Sequence, residues 1–244
     1  MALATFSLRL EAVRDIAPGV KHFQFTRADK EAFHFIPGQF ITLLLDVDGK
    51  KLRRSYSVAS IPGQEKTIDF AASYVSGGVA SEILFNLAIG DELEGSGPSG
   101  RLVLREEDHP KRYLFIATGT GITPYRSMLP SLIQKAQAEN TKIILMQGVR
   151  VQADLLYGDD FLDYAKRYPQ HLEFHPCYSR QTNDLLSHEH AGNVCQNLAA
   201  FHPNPQTDIV YLCGNPNMID QAFEQLKQIG FDTAQVRREK YISP

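Results

Sequence analysis

One feature restricts the fold of this chain more than any other: its hydrophobic pattern changes near residue 106. Beyond that point, apolar runs of strand length (Arg112–Thr118, Lys142–Met146, Leu172–His175 and Asp208–Cys213) alternate with segments of helical period near residues 124–138, 158–167 and 216–228. Strands joined through helices form a parallel sheet with helices on both faces.

Before that point the pattern has period two. Phe6, Leu8, Leu10 and Ala12 alternate with polar neighbours, residues 20–25 alternate again, residues 39–47 form a buried run after the Pro37-Gly38 turn, and residues 67–74 make a further strand. Short strands at this spacing build a small antiparallel barrel, with one helix expected over residues 79–87. The glycine-rich passage from Glu94 to Gly100 reads as a break in regular structure. The expected organisation is therefore an antiparallel β-barrel over residues 1–105 followed by an α/β parallel-sheet domain over residues 106–244.

With 244 residues and 43% apolar content, the chain can bury two cores. A net charge of −3 gives no overall basic field for nucleic acid. The apolar runs are too short to span a bilayer, and the N-terminus lacks a basic segment followed by an apolar core, so a soluble, cytoplasmic protein with neither a membrane nor a nucleic-acid partner is expected. Cys177, Cys195 and Cys213 form no CxxC pair and give no spacing for zinc or an iron–sulfur centre. His188-x-His190 lacks a third ligand at a recognisable spacing and reads as polar loop; no metal is expected.

Four stretches carry chemistry. Arg54, Tyr56 and Ser57 put a cation, a flat ring and a hydroxyl within four residues, although an alternating strand with one polar face has the same pattern. Thr118-Gly119-Thr120-Gly121-Ile122-Thr123-Pro124 lies between a strand and a helix, where backbone N–H groups favour an anion, with Thr123 suited to cap and Pro124 to open the helix. A plain strand-to-helix turn describes it equally, because Pro124 replaces the third glycine of the common dinucleotide fingerprint. Cys213-Gly214 through Met218 repeats the arrangement after the last apolar run. Ser179-Arg180 follows another strand, and a hydroxyl beside a guanidinium fork suits a 2′-phosphate; it also suits a solvated loop.

In order and spacing these stretches resemble the ferredoxin–NADP reductases and their flavodoxin-reductase and flavin-reductase relatives. The marks are Pro37-Gly38-Gln39-Phe40, Arg54-Ser55-Tyr56-Ser57, Gly78-Val79-Ala80-Ser81, Gly119-Thr120-Gly121 through Pro124, Gly148-Val149-Arg150 with Leu156-Tyr157, Ser179-Arg180, and Cys213-Gly214 with Met218. The resemblance implies FAD held by Arg54, Tyr56, Ser57, Val58, Gly78, Val79, Ala80, Ser81, Thr120 and Tyr241. In it Arg54 meets the pyrophosphate, Tyr56 lies against the flavin, and Ser57 bonds near N5. It further implies NADP(H) on Gly119, Thr120, Gly121, Thr123, Arg150, Ser179, Arg180, Cys213, Gly214 and Met218, with Ser57, Cys213, Glu239 and Tyr241 around the reacting atoms.

Glu239-x-Tyr241 matches the family's acidic residue two before a flavin-covering aromatic, and Ile242-Ser243-Pro244 is an extension beyond that pattern. The implied activity is hydride transfer between NADPH and FAD, followed by single-electron delivery to a ferredoxin or flavodoxin by a monomer. Lys50, Lys51 and Arg53, with Arg237, Arg238 and Lys240, are expected to steer that acidic carrier. A free-flavin reductase, a reductase subunit dedicated to an oxygenase and a non-enzymatic NADP/flavin redox sensor are the alternatives.

Overall fold

A computed structural model describes residues 4–241. They form two compact units, one of residues 4–103 with Thr123–Met128, the other of Leu104–Ile122 with residues 129–241.

The first unit contains β1 (Thr5–Ala17), β2 (Val20–Arg27), β3 (Phe40–Val47), β4 (Lys50–Ser57), β5 (Ile68–Ser73), α1 (Val79–Phe85) and β6 (Glu92–Ser99). The strands make one sheet in the order β4-β3-β6-β1-β2-β5, antiparallel at every pairing. Its edge strands approach each other where Tyr56 of β4 stacks on Phe70 of β5, ring centroids 4.7 Å apart, which curls the sheet around a core of Leu8, Leu10, Phe23, Phe25, Ile41 and Leu43. Gly38 is required in the turn before β3. Its φ is +99°, and a Cβ there would lie 2.0 Å from the Leu102 carbonyl oxygen.

The expected break at residues 94–100 is instead strand β6, paired with both β1 and β3. Its glycines are there for fit, since a Cβ on Gly95 would meet the Leu8 side chain at 2.7 Å.

The second unit contains β7 (Arg112–Thr118), α2 (Thr123–Glu139), whose first turns belong with the first unit, β8 (Lys142–Val149), α3 (Gly158–Arg167), β9 (Leu172–Tyr178), β10 (His190–Ala191), α4 (Val194–Asn197), β11 (Asp208–Gly214), α5 (Pro216–Gln228) and β12 (Val236–Lys240). All six strands are parallel, in the order β10-β9-β8-β7-β11-β12. One face packs Leu114, Ile116, Met146 and Leu212 against α4 and α5, while on the other Phe174 meets Phe161 of α3 at 5.2 Å. The chain order reverses between β7 and β11, so the turns after these two strands open at the carboxyl edge where such sheets bind ligands.

Candidate active site

On β4 the alternation sorts the chemistry. Leu52, Arg54 and Tyr56 are half-buried while Lys51, Arg53 and Ser55 are exposed, so Arg54 and Tyr56 share a face. One face of the Tyr56 ring lies on Phe70, and burial pushes its hydroxyl pKa up to about 12, so it stays neutral at working pH. Arg54 Nη1 donates to the Arg53 carbonyl at 2.8 Å, and no carboxylate pairs with Arg54 among the described residues.

Ser57 and Val58 are buried, and the Val58 amide donates to the Gln39 carbonyl at 2.9 Å. The segment beyond is stitched down by residues that the sequence did not single out. Ala59 N donates to Asp69 O and Asp69 N to Ser60 Oγ, both at 2.7 Å. The Asp69 carboxylate accepts from His22 and Gln24; burial alone would raise its pKa, but these bonds outweigh it and keep the acid ionised. Arg126, on the first turns of α2, donates to the Ala59 carbonyl at 2.7 Å and pairs with both Glu65 oxygens at 3.0 Å. A 61-residue separation hides that pair from any local motif.

At α1 the N-terminus carries no side-chain cap. The Ser81 hydroxyl, expected as a ligand donor, is committed to its own turn, bonding the Val75 and Gly78 carbonyls at 2.9 and 2.8 Å. Val79 is exposed while Ala80 and Ser81 are buried, and no side chain takes the amides of the first turn among the described residues.

In the second unit the turn after β7 is a 3-10 turn, Gly119–Ile122, that runs straight into α2. Thr123 therefore does not cap: the helix already begins before it, and its buried Oγ1 has no hydrogen-bond partner among the described residues. Gly119, at φ +51°, has open space where a Cβ would stand. Gly121 and Gly214 bring the two turns backbone to backbone, because a Cβ on Gly121 would lie 2.4 Å from the Cys213 carbonyl oxygen and one on Gly214 2.5 Å from that of Thr118. The second turn is not a free anion site, since the Asn215 side chain caps α5 by accepting from Asn217 N and Met218 N. Met218 itself is buried in the core.

Along the same edge, Arg180 N donates to the Arg150 carbonyl at 2.8 Å and Ser179 N to that of Val149 at 3.0 Å, placing the ends of β8 and β9 side by side. The Arg150 side chain forks onto Asp154 at 2.8 and 3.1 Å, whereas the exposed Arg180 side chain has no carboxylate partner among the described residues.

Cys213 stands opposite Glu239 in the β11–β12 register. Burial, and then the Glu239 charge, push its thiol well above the usual range, and the Tyr241 side chain hydrogen-bonds to it while Tyr241 N donates to the Gly214 carbonyl at 2.8 Å. Residues 242–244 lie outside the described residues. In the expected C-terminal cation group Arg238 and Lys240 are exposed and each of the three cations has a neighbour. Arg237 is buried on Asp108 and the Tyr211 hydroxyl, Lys240 pairs with Asp220, and Arg238 lies 3.7 Å over the Phe223 ring. Lys51 is likewise held by Asp46 and Glu94.

Comparison with known proteins bears on this geometry. The model of the oxidoreductase FAD-binding domain matches residues 7–104 and that of the oxidoreductase NAD-binding domain residues 115–224. Ferredoxin–NADP reductase B of Sorangium cellulosum is 33% identical over 242 residues, 97% of either chain. The chain belongs to the ferredoxin–NADP reductase family. Within that family it is an oxidoreductase that uses FAD and NAD(P)(H) for electron transfer. A subunit of the 1,2-phenylacetyl-CoA epoxidase of Escherichia coli is 30% identical over 222 residues, 88% of this chain and 61% of the relative. The fold matches a ferredoxin NADP+ reductase from Neisseria gonorrhoeae with bound FAD and NADP, at a TM-score of 0.84 and 22% identity over 97% of this chain and 98% of the other. Among the described residues no helix is long and apolar enough to cross a membrane.

The residues fit the cofactors. A guanidinium with no carboxylate partner among the described residues, beside a ring with one face already covered, together with an α1 that has no side-chain cap, suits a pyrophosphate joined to a flat ring system; the open space over Gly119 suits a dinucleotide.

Proposed function

We propose that the protein is a cytoplasmic, monomeric ferredoxin– or flavodoxin–NADP(+) reductase that takes hydride from NADPH and passes single electrons to the carrier. The observation that carries the coenzyme choice is Arg180, an exposed guanidinium at the sheet edge beside Ser179, with no carboxylate partner among the described residues. A 2′-phosphate has only acceptor oxygens, which such a fork satisfies. Likeness to the Sorangium reductase across nearly the whole chain supports the carrier. Three unbridged cysteines fit a reducing compartment.

Bound FAD supplies the conversion between a two-electron donor and a one-electron acceptor. The chain positions and shields. Arg54 neutralises the pyrophosphate, Tyr56 covers a flat face of the ring system, and the stitched segment from Ser57 to Ser60 orients the hydrogen bonds at its edge. The α1 amides and the Gly119–Gly121 turn hold the two phosphate bridges, with Thr120 and Thr123 beside the latter. Cys213 keeps its proton at working pH, so it lines the nicotinamide side as a compact neutral wall and does not act as a nucleophile. Tyr241, bonded to that thiol, would have to move aside for the nicotinamide if its ring covers the flavin face.

Stopped-flow reduction by NADPH and by NADH, followed by mixing with ferredoxin and with flavodoxin, tests the proposal. Fast reduction by NADPH alone and rapid oxidation by either carrier are expected; equal use of NADH would overturn the coenzyme assignment. A second reading, a reductase component dedicated to an oxygenase, is favoured by the epoxidase-subunit relative. Electron delivery to an oxygenase component, with neither carrier accepting, would select it.

A further inference from the structure

Ser179 and Arg180 open an excursion that leaves β9 at Tyr178 and returns at β10, where His190 and Ala191 pair in parallel with Cys177 and Tyr178 of that same strand. Its start is tied to the end of β8 by Arg180 N on the Arg150 carbonyl, while residues 182–184 at its middle are exposed, so the far side of the excursion depends on how its return is held. Its last residue before β10 is Glu189, an acid only 9% exposed. Both carboxylate oxygens are used. Oε1 accepts from the Tyr178 hydroxyl at 2.7 Å and Oε2 from the Leu186 amide at 2.8 Å, while Glu189 N donates to the Leu186 carbonyl at 3.0 Å. Tyr178 is fully buried and immediately precedes Ser179-Arg180, so this carboxylate bolts the return of the loop to the strand from which the loop departs. A buried acid adds little stability over a well-packed apolar residue of similar size, whereas its two bonds fix one geometry.

We propose that Glu189, acting through Tyr178 and the Leu186 turn, is a positioning residue for coenzyme specificity that holds the Arg180 loop ready for the adenosine 2′-phosphate. The proposal rests on the reading of Arg180 as the ligand of that phosphate. Two donors, the Tyr178 hydroxyl and the Leu186 N–H, converge on the carboxylate; glutamine would keep the Leu186 bond on its oxygen and donate to the Tyr178 hydroxyl, so the latch would be loosened from charge-assisted to weaker neutral hydrogen bonds. A loop released in this way must be ordered during binding, which lowers affinity for the group the loop carries and leaves the hydride step alone.

The test uses the full FAD-loaded chain as parent, Glu189→Gln, Tyr178→Phe and Arg180→Ala. Calorimetry measures adenosine 2′,5′-bisphosphate against 5′-AMP, steady-state kinetics compare NADPH with NADH, and amide exchange is followed over residues 181–188. Glu189→Gln and Tyr178→Phe are each expected to weaken the bisphosphate roughly tenfold, as for one lost charge-assisted hydrogen bond, with 5′-AMP unchanged. The NADPH KM should rise by a similar factor at constant kcat, NADH kinetics should stay at the parent values, and the Leu186 amide should exchange faster. Equal losses for both nucleotides, or unchanged bisphosphate affinity despite faster exchange at Leu186, would overturn the proposal. Arg180→Ala separates the two levels. If it weakens the bisphosphate while the other variants do not, the latch alone fails; if it has no effect, the 2′-phosphate reading fails and the latch with it. Should Glu189→Gln not fold, Tyr178→Phe removes the same bond and decides the question in the same way.

Discussion

Two arginine pairs, Arg53-Arg54 and Arg237-Arg238, look alike in sequence, and each sits on an edge strand of its sheet, β4 in one unit and β12 in the other. Their fates differ. Arg54 bonds a neighbouring carbonyl and has no carboxylate partner among the described residues, whereas Arg237 is set against Asp108 and the Tyr211 hydroxyl, its charge retained by the acid although burial opposes it. An arginine to which the fold supplies no carboxylate is left available to an anion, whereas one that it pairs, as with Arg237 and Asp108, serves as a structural tie. The two glycine turns teach the same lesson. At the first, no side chain caps α2; at the second, Asn215 has already taken the amides of α5.

The largest effect should come from Asp108→Ala, which leaves the buried Arg237 charge without its partner and should cost about 3–5 kcal/mol, read as a fall in Tm. An unchanged Tm would break the contrast at its structural end. Arg54→Ala should leave the Tm of the FAD-free protein where it was and weaken FAD binding by about 1.5–3 kcal/mol, measured by equilibrium dialysis. FAD held as tightly as in the parent would remove Arg54 from the flavin site. Smaller still, Asn215→Ala should cost about 1 kcal/mol of stability with the affinity for NADPH unaltered. A matching loss of coenzyme affinity there would show that both turns bind phosphate. Lys240→Ala, removing an exposed pair with Asp220, should change stability by about 1 kcal/mol or less and leave the carrier-reduction rate as it was. A slower rate would return this strand to the docking surface.

The parallel sheet was legible because its central strands are buried on both faces and read as continuous apolar runs. β12 was not, because Val236-Arg-Arg-Glu-Lys240 reads as a solvated charge run, and what makes it a strand is pairing with β11 and anchoring at Asp108, 129 residues away from Arg237. β6 was hidden by glycines that serve close packing against Leu8 and not flexibility. In the candidate site, the shared face of Arg54 and Tyr56 could be read from period two along a single strand. Arg126 with Glu65 and Tyr178 with Glu189 could not, since each pair forms only when distant segments have already met.

The sheet order has a further consequence, for synthesis of the chain. β7 lies in the middle of its sheet, and one of its neighbours, β11, starts 96 residues after it. While the chain emerges from the ribosome, β7 can pair with β8 on one side, but its other edge, bearing Tyr113, Leu114, Phe115 and Ile116, has no strand to receive it until residues 208–214 are made. An unpaired apolar edge that persists this long invites association with other chains, and the long closure slows folding. Nascent chains halted before residue 208 should therefore stay bound to chaperones, and those extended past residue 214 should be released from them.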